Sequence, residues 1–289
     1  MINSSTQTAP QPIKRIKETE TIAESKPTQT IAKTAKLAPV IYFASDFHLG
    51  TPNATASRER ELRIIAWLEM VRKDATEIFL VGDFFDMWYE YRTVVPKGYV
   101  RILGKLAEFT DAGIKIHAFL GNHDMWMFGY FENELNIKVY DAPIVRTWSG
   151  KTFLIGHGDG LGPGDTKYKL MKKVFRNPLC QWLFGWVHPD IGLGLANFWS
   201  QRSRAAGGHK DSVFEGKEKE WLYHYCVRKL QTSHYDYFIF GHRHLPLDLV
   251  LPNGNSKYIN LGDWLQYNTY SMFDGERCTL ETFTYNPKK

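Results

Sequence analysis

IKIHAFLGNHD, residues 114–124, decides how this chain is read. Seven mostly apolar residues run straight into a glycine, an amide, an imidazole and a carboxylate. An apolar run of that length, closed by a turn signal, reads as a buried strand. Glycine at its end lets the backbone turn sharply and come close to a ligand. Four more runs have the same form. PVIYFA (39–44) ends in SDFHLG (45–50) and EIFLV (77–81) in GDFFD (82–86). KTFLI (151–155) ends in GHGD (156–159) and YDYFIF (235–240) in GHRH (241–244). Between the early runs lie RERELRIIAWLEMVRK (58–73) and GYVRILGKLAEFTDAG (98–113), which predict helices. Strands alternating with helices predict an α/β layered fold with its site at the strand ends. One histidine after a strand is ordinarily a hydrogen-bonded structural residue, and Gly-Asp is an ordinary turn pair. Five such ends, all delivering Asp, His or Asn, predict a site for divalent ions held by oxygen and nitrogen.

The remainder of the chain bounds this reading. Its 289 residues are 43% hydrophobic and 15% aromatic, enough for a sizeable core. Cys180, Cys226 and Cys278 are far apart and odd in number, which argues for a reducing compartment and against a disulfide framework or thiolate metal site. The formal charge is +5, of which residues 1–38 carry +3, so a basic surface for nucleic acid is not expected. That first stretch contains no aromatic residue and reads as a disordered tail, leaving 39–289 as the folded domain. Its lack of an apolar core segment argues against a secretory signal. The window LCQWLFGWVHPDIGLGLANFW (179–199) is broken by His188, Pro189 and Asp190, so no membrane-spanning helix is predicted.

The series DxH, GDxxD, GNHD, GHGD, GHxH, over roughly residues 40–265, resembles the signature of the calcineurin-like metallophosphoesterases. The resemblance implies a two-sheet αββα sandwich with a dinuclear metal centre above it. On matching positions, Asp46, His48 and His244 would hold one metal, Asn122, His157 and His242 the other, and Asp83 would bridge the two. It implies hydrolysis by water activated between two divalent ions, Mn²⁺ foremost, with Fe²⁺ or Zn²⁺ as alternatives. His123 would face the substrate and protonate the leaving oxygen, with Asp124 orienting its ring. Asp86 is read as an outer support of the site or as structural, rather than as a direct participant.

More than 80 residues separate GHGD from GHRH, which predicts an inserted helical cap over about 163–235. GPGDTKYKLMKKVFRNPLCQWLFGWVHPDIG sets lysines and an arginine beside Trp182, Phe184 and Trp186. Either this is a helical subdomain with its own small core, or a lid that meets phosphates with cations and acyl chains with aromatics. SDFHLG, GDFFDMW, RNPLCQWLF and NLGDWLQYNTY (260–270) are most similar to the UDP-2,3-diacylglucosamine hydrolases of lipid A synthesis. That resemblance implies an acylated sugar-nucleotide substrate cut to UMP and 2,3-diacylglucosamine 1-phosphate. It also implies a cytoplasmic enzyme, peripherally associated with the inner membrane. Lys167, Lys172, Arg176, Arg202 and Lys210 are the candidate substrate cations. Trp264 is read as core, and His117 and His188 as structural. One departure stands out: the best-known branch of those hydrolases has Arg where this chain has His123, as the generic phosphoesterases do. The alternative is therefore a different phosphodiester or pyrophosphate. Nothing in the sequence sets an oligomeric state.

Overall fold

A computed structural model describes residues 38–162, 166–207 and 213–286. The tail expected over 1–38 lies outside the described residues except for Ala38. The chain begins β1 (Ile41–Ala44), α1 (Ala54–Val71), β2 (Glu77–Leu80), α2 (Val100–Asp111), β3 (Lys115–Phe119), α3 (Tyr130–Leu135) and β4 (Lys138–Tyr140). A hairpin of β5 (Ile144–Trp148) and β6 (Lys151–Ile155) follows, then α4 (Thr166–Phe175), α5 (Pro178–Phe184), α6 (Pro189–Gly207) and α7 (Trp221–Leu230). It finishes with β7 (Tyr237–Phe240), β8 (Pro246–Val250), β9 (Lys257–Leu261), β10 (Thr269–Phe273) and β11 (Cys278–Thr282).

These strands form two sheets, ordered β11-β10-β1-β2-β3-β4 and β5-β6-β7-β9-β8. The five runs picked out in the sequence are β1, β2, β3, β6 and β7. Within each sheet they lie parallel, so their polar ends emerge on the same side. Both faces of these strands are covered, which is why they read as continuous apolar runs rather than alternating ones. β1 turns Tyr42 and Ala44 outward to the helices and Ile41 and Phe43 inward to the other sheet. β7 does the same with Phe238 and Phe240 against Ile239. Phe43 stacks with Phe79 of its own sheet at 5.3 Å and with Phe153 of the other at 6.0 Å, joining the layers.

Helix α1 starts at Asn53, whose side chain accepts from the Ala56 amide at 2.9 Å and caps the first turn. Its buried residues Arg60, Ile64, Trp67, Leu68 and Val71 form one stripe against the first sheet. Helix α2 adds Leu106 and Phe109 to that layer. Helix α7 covers the second sheet, with Leu222 and Cys226 buried against Phe238, Phe240 and Tyr258. The architecture is thus helix, sheet, sheet, helix. It also divides the insertion expected over 163–235: α7 is a layer of the sandwich, because its apolar face has a sheet to cover. Helices α4, α5 and α6 are the additional piece. Helix α5 has no buried residue, and Trp182 and Trp186 are 59% and 76% exposed. All three cysteines are free.

Candidate metal centre

The strand ends are tied to one another before any side chain reaches the site. The Asp46 amide donates to Gly82 O at 3.1 Å, His48 to Asp83 O at 2.9 Å, and Asp86 to Leu49 O at 2.9 Å, zipping the β1 and β2 loops together. The His242 amide donates to Asp46 Oδ2 at 3.0 Å and the His123 amide to Asp83 Oδ1 at 2.9 Å, bringing in β7 and β3. Asp46, His48, Asp83, His242 and His244 all have φ between 45° and 68°. Non-glycine residues seldom adopt this left-handed region, and such strain concentrates at functional sites. The glycines beside them serve a different need. A Cβ on Gly121 would collide with Asp83 Oδ1, and one on Gly241 would lie 2.5 Å from Asp46 Oδ2. Each is a gap through which a carboxylate enters.

Seven side chains converge on this point. Asp46, His48, Asp83 and His244 offer donor atoms within 4.8 Å of one another, and so do Asp83, His157 and His242. Asn122 Oδ1 joins the second set, 3.2 Å from His157 Nε2 and 2.8 Å from His242 Nδ1. Asp83 belongs to both, its Oδ2 3.6 Å from His48 Nε2 and 3.4 Å from His157 Nε2. Two of the far ring nitrogens are hydrogen-bonded elsewhere, and a third faces a carboxylate. His157 Nδ1 donates to Val81 O at 2.9 Å, His244 Nδ1 to Asp263 Oδ2 at 3.2 Å, and His48 Nδ1 lies 3.4 Å from Asp86 Oδ1. Such outer contacts fix the tautomer and aim the Nε2 lone pair at a metal.

Two observations test whether cations fit here. Asp83 Oδ2 is buried and has no hydrogen-bond partner, a costly state for a carboxylate oxygen unless a cation meets it. His48 Nε2 and His244 Nε2 face each other at 3.2 Å, so their lone pairs need something positive between them. The charges agree. Burial opposes the charge on Asp83, yet the imidazoles of His157, His123 and His48 hold its carboxyl well below the usual range. Against burial, Asp83 and Asp46 draw His157 up to about 10. The donor set of carboxylate, amide and imidazole without thiolate suits Mn²⁺, Fe²⁺ or Zn²⁺. It is a candidate dinuclear metal site.

His123 stands at its edge, its ring 4.8 Å from that of His48. Burial first, then the nearby imidazoles of His48 and His244, push it down to about 4, against the pull of Asp83. Its orientation corrects one expectation. Asp124 does not reach the ring: its carboxylate accepts from the amides of Phe84 at 2.7 Å, Gly121 at 2.8 Å and Phe85 at 3.3 Å. Neighbours in a tight turn point apart, and Asp124 points into the loop it braces. The ring is instead met at Nδ1 by the carbonyl of Asp86 at 3.2 Å and the hydroxyl of Ser200 at 3.0 Å, with Asp86 Oδ1 at 3.8 Å. Asp86, read from the sequence as either an outer support of the site or structural, touches both His48 and His123.

Of the expected substrate cations, the structure positions two. Lys172 pairs with Asp159 of the GHGD cluster, and Arg176 Nη1 lies 3.9 Å from Asp141. Both line a cavity of about 540 Å³ with Lys169 and Lys173 that reaches back to His157. Lys210 and the side chains of Lys167 and Arg202 lie outside the described residues. Asp263 and Asp159 were missed as supports. A sixth apolar run ending in Gly-Asp, KYINLGD (257–263), was the available signal for Asp263. Trp264 beside it is fully buried and His117 bonds Glu77 at 3.0 Å, both structural as expected.

The sequence pattern described as calcineurin-like phosphoesterase matches residues 39–246. A Porphyromonas gingivalis protein named UDP-2,3-diacylglucosamine hydrolase is 39% identical over 254 residues, covering 84% of this chain and 97% of that protein. Proteins of the same name from a Shewanella species and from Pseudomonas fluorescens are 23% and 26% identical, each over 86% of this chain and 98% and 96% of their own length.

Proposed function

This chain belongs to the calcineurin-like phosphoesterase family, and on that premise we propose that it hydrolyses the pyrophosphate of UDP-2,3-diacylglucosamine to UMP and 2,3-diacylglucosamine 1-phosphate. The observation that carries this substrate is the 39% identity with a hydrolase of that name across 97% of its length. The reaction class rests on family membership and on the seven donors gathered about Asp83.

Two divalent ions, when bound, polarise phosphoryl oxygens and lower the pKa of water at the site. Asp46, His48, Asp83 and His244 would hold one; Asp83, Asn122, His157 and His242 would hold the other. Mn²⁺ is the proposed occupant. The chain's own part is positioning and proton control. Asp83 Oδ1 holds the His123 amide, which fixes the substrate-facing ring relative to the bridging carboxylate. His123 Nδ1 is engaged by Asp86 and Ser200, which leaves Nε2 for the pyrophosphate. Burial keeps the free ring neutral, so the proton must arrive with the substrate. The negative charge of the pyrophosphate beside Nε2 opposes the downward shift, and the leaving phosphate oxygen takes the proton so held. Asp124 contributes by bracing the loop that carries Asn122 and His123.

Lys172 and Arg176 stand by the second metal position and are proposed to meet the substrate's phosphates. The exposed apolar side chains Leu179 and Trp182 on α5, Trp186 in the turn after it, and Ile191 and Phe198 on α6 support contact with acyl chains and a membrane surface. None of the described helices is long and apolar enough to cross a membrane. Peripheral attachment at the cytoplasmic side of the inner membrane is the proposed location, a reading supported by the exposed apolar side chains of α5 and α6.

The test is UMP release from UDP-2,3-diacylglucosamine with Mn²⁺ in mild detergent, with His123→Ala as control. The intact protein should release UMP, and the variant should be slower by about 10²–10⁴-fold, the range for loss of a general acid. Absence of UMP alongside turnover of a chromogenic phosphodiester would retain the metal chemistry and overturn the lipid substrate. That second reading, a different diester or pyrophosphate, is favoured by the histidine at 123.

A further inference from the structure

We propose that Ser200, on the cap helix α6, is a positioning residue for His123, so that the imidazole is fully oriented when that helix is seated; the inference rests on the hydrolytic role given to His123 above. Its basis is how α6 meets the strand-end loops. Gly192, Ala196 and Ser200 recur every four residues and so lie on one face of the helix. That face packs on two segments with the same letters, Asp86-Met87-Trp88 after β2 and Asp124-Met125-Trp126 after β3. Met87, Tyr89, Met125 and Trp126 form one buried cluster with Ala196. A Cβ on Gly192 would come within 2.6 Å of Tyr91 Oη and 3.2 Å of the Phe184 ring, so α6 is packed as closely as a glycine permits. One turn beyond Ala196, the helix delivers Ser200 between Asp86 and His123.

Donor and acceptor roles follow from which atoms can give a proton. The Asp86 carbonyl, 3.2 Å from His123 Nδ1, can only accept, so Nδ1 carries a hydrogen. Ser200 Oγ, 3.0 Å from the same nitrogen, therefore receives from the ring. Its own hydrogen goes to Asp86 Oδ2 at 3.1 Å. The result is a directed series, imidazole to hydroxyl to carboxylate, with the middle member on the cap and the outer two on the sandwich. It holds Nε2 toward the substrate and opposes a ring flip that would exchange the nitrogens. Asp86 Oδ1 also lies 3.4 Å from His48 Nδ1, so one carboxylate stands beside both the substrate-facing ring and a metal-facing one.

The test uses full-length Ser200→Ala and Ser200→Thr, assayed with UDP-2,3-diacylglucosamine and in parallel with a chromogenic phosphodiester. Ser200→Ala should lower kcat about tenfold, the scale of one hydrogen bond, with KM and the melting temperature unchanged. Ser200→Thr, which keeps the hydroxyl, should restore most of it. In the Zn²⁺-loaded protein, ¹⁵N spectra of the His123 ring should show the Nδ1–H tautomer that the Asp86 carbonyl requires, and Ser200→Ala should shift the Nδ1 resonance, which loses its hydroxyl acceptor. An unchanged kcat in Ser200→Ala, an equal loss in both variants, or a rise in KM alone would overturn the proposal, as would an unaltered ring spectrum. If the lipid substrate is inert but the chromogenic ester turns over, the substrate reading fails. The Ser200 effect is then read on the ester, so the two failures are distinct.

Discussion

Asp83 divides its labour between its oxygens. Oδ1 holds the His123 amide at 2.9 Å, while Oδ2 faces His48 and His157 without a hydrogen bond of its own. Replacing it by alanine removes the one carboxylate shared by both donor sets. Asp83→Ala should retain well under half the bound metal of the parent after gel filtration, read by elemental analysis. Asp263 acts one bond further out, through His244 Nδ1 at 3.2 Å. Asp263→Ala should weaken metal affinity by about 10–100-fold, measured by chelator competition, because His244 loses the partner that aims it. The seven donors could be singled out from sequence because each lies just beyond an apolar run and the series of motifs resembles a known signature. Asp263 could not, since what makes it matter is a distance to a side chain on a different loop, whereas Asp86 stood out in GDFFD without its partners. Asp124 shows the reverse error: adjacency to His123 in sequence suggested contact, and the turn sends the two side chains apart.

The strands that sequence reveals are those buried on both faces. β1, β2, β3, β6 and β7 are unbroken apolar runs, whereas β10, with its alternation of buried and half-buried residues, looks like a surface segment until it is paired with β1. Helix α7 was grouped with the cap because sequence shows its apolar stripe but not the sheet that meets it. Helix α5 is the opposite case. It presents Leu179, Trp182 and Leu183 to solvent, and Trp186 follows directly. If this surface rests on lipid, Trp182→Asp with Trp186→Asp should reduce binding to anionic phospholipid vesicles by tenfold or more, since each buried tryptophan contributes about 1.5–3 kcal/mol. Stability should change by less than about 0.5 kcal/mol, as exposed substitutions generally do. Equal vesicle binding by parent and variant in a sedimentation assay would remove α5 from the membrane contact.

The sandwich depends on a few groups that belong to both sheets. Glu77 on β2 bonds His117 of its own sheet at 3.0 Å and the Trp148 indole of the other at 3.4 Å. The His117 bond, opposed by partial burial, holds its carboxyl below the usual glutamate range. A folded-state pKa below the unfolded one stabilises the fold above the unfolded value and ceases to do so as pH falls through the depressed one. Glu77→Gln should therefore lower the melting temperature at pH 7 by about 2–4 °C, for about 1 kcal/mol, and by less in acid. Melts at pH 7 and near the acid limit of folding check both the size and the sign. Phe43, with aromatic neighbours in each sheet, is a second such joint; Phe43→Ala should cost about 3–5 kcal/mol in denaturant unfolding. The pairing of β1 with β10 bears on the order in which the molecule is made. Asp46 leaves the ribosome roughly 200 residues before His244, an interval on the order of 10–40 s at ordinary elongation rates. Throughout it β1 has one unpaired edge, and β10 arrives later still. Capturing the full complement of ions must in consequence wait until His242 and His244 have emerged, so it is set by the cation concentration late in synthesis rather than at its start.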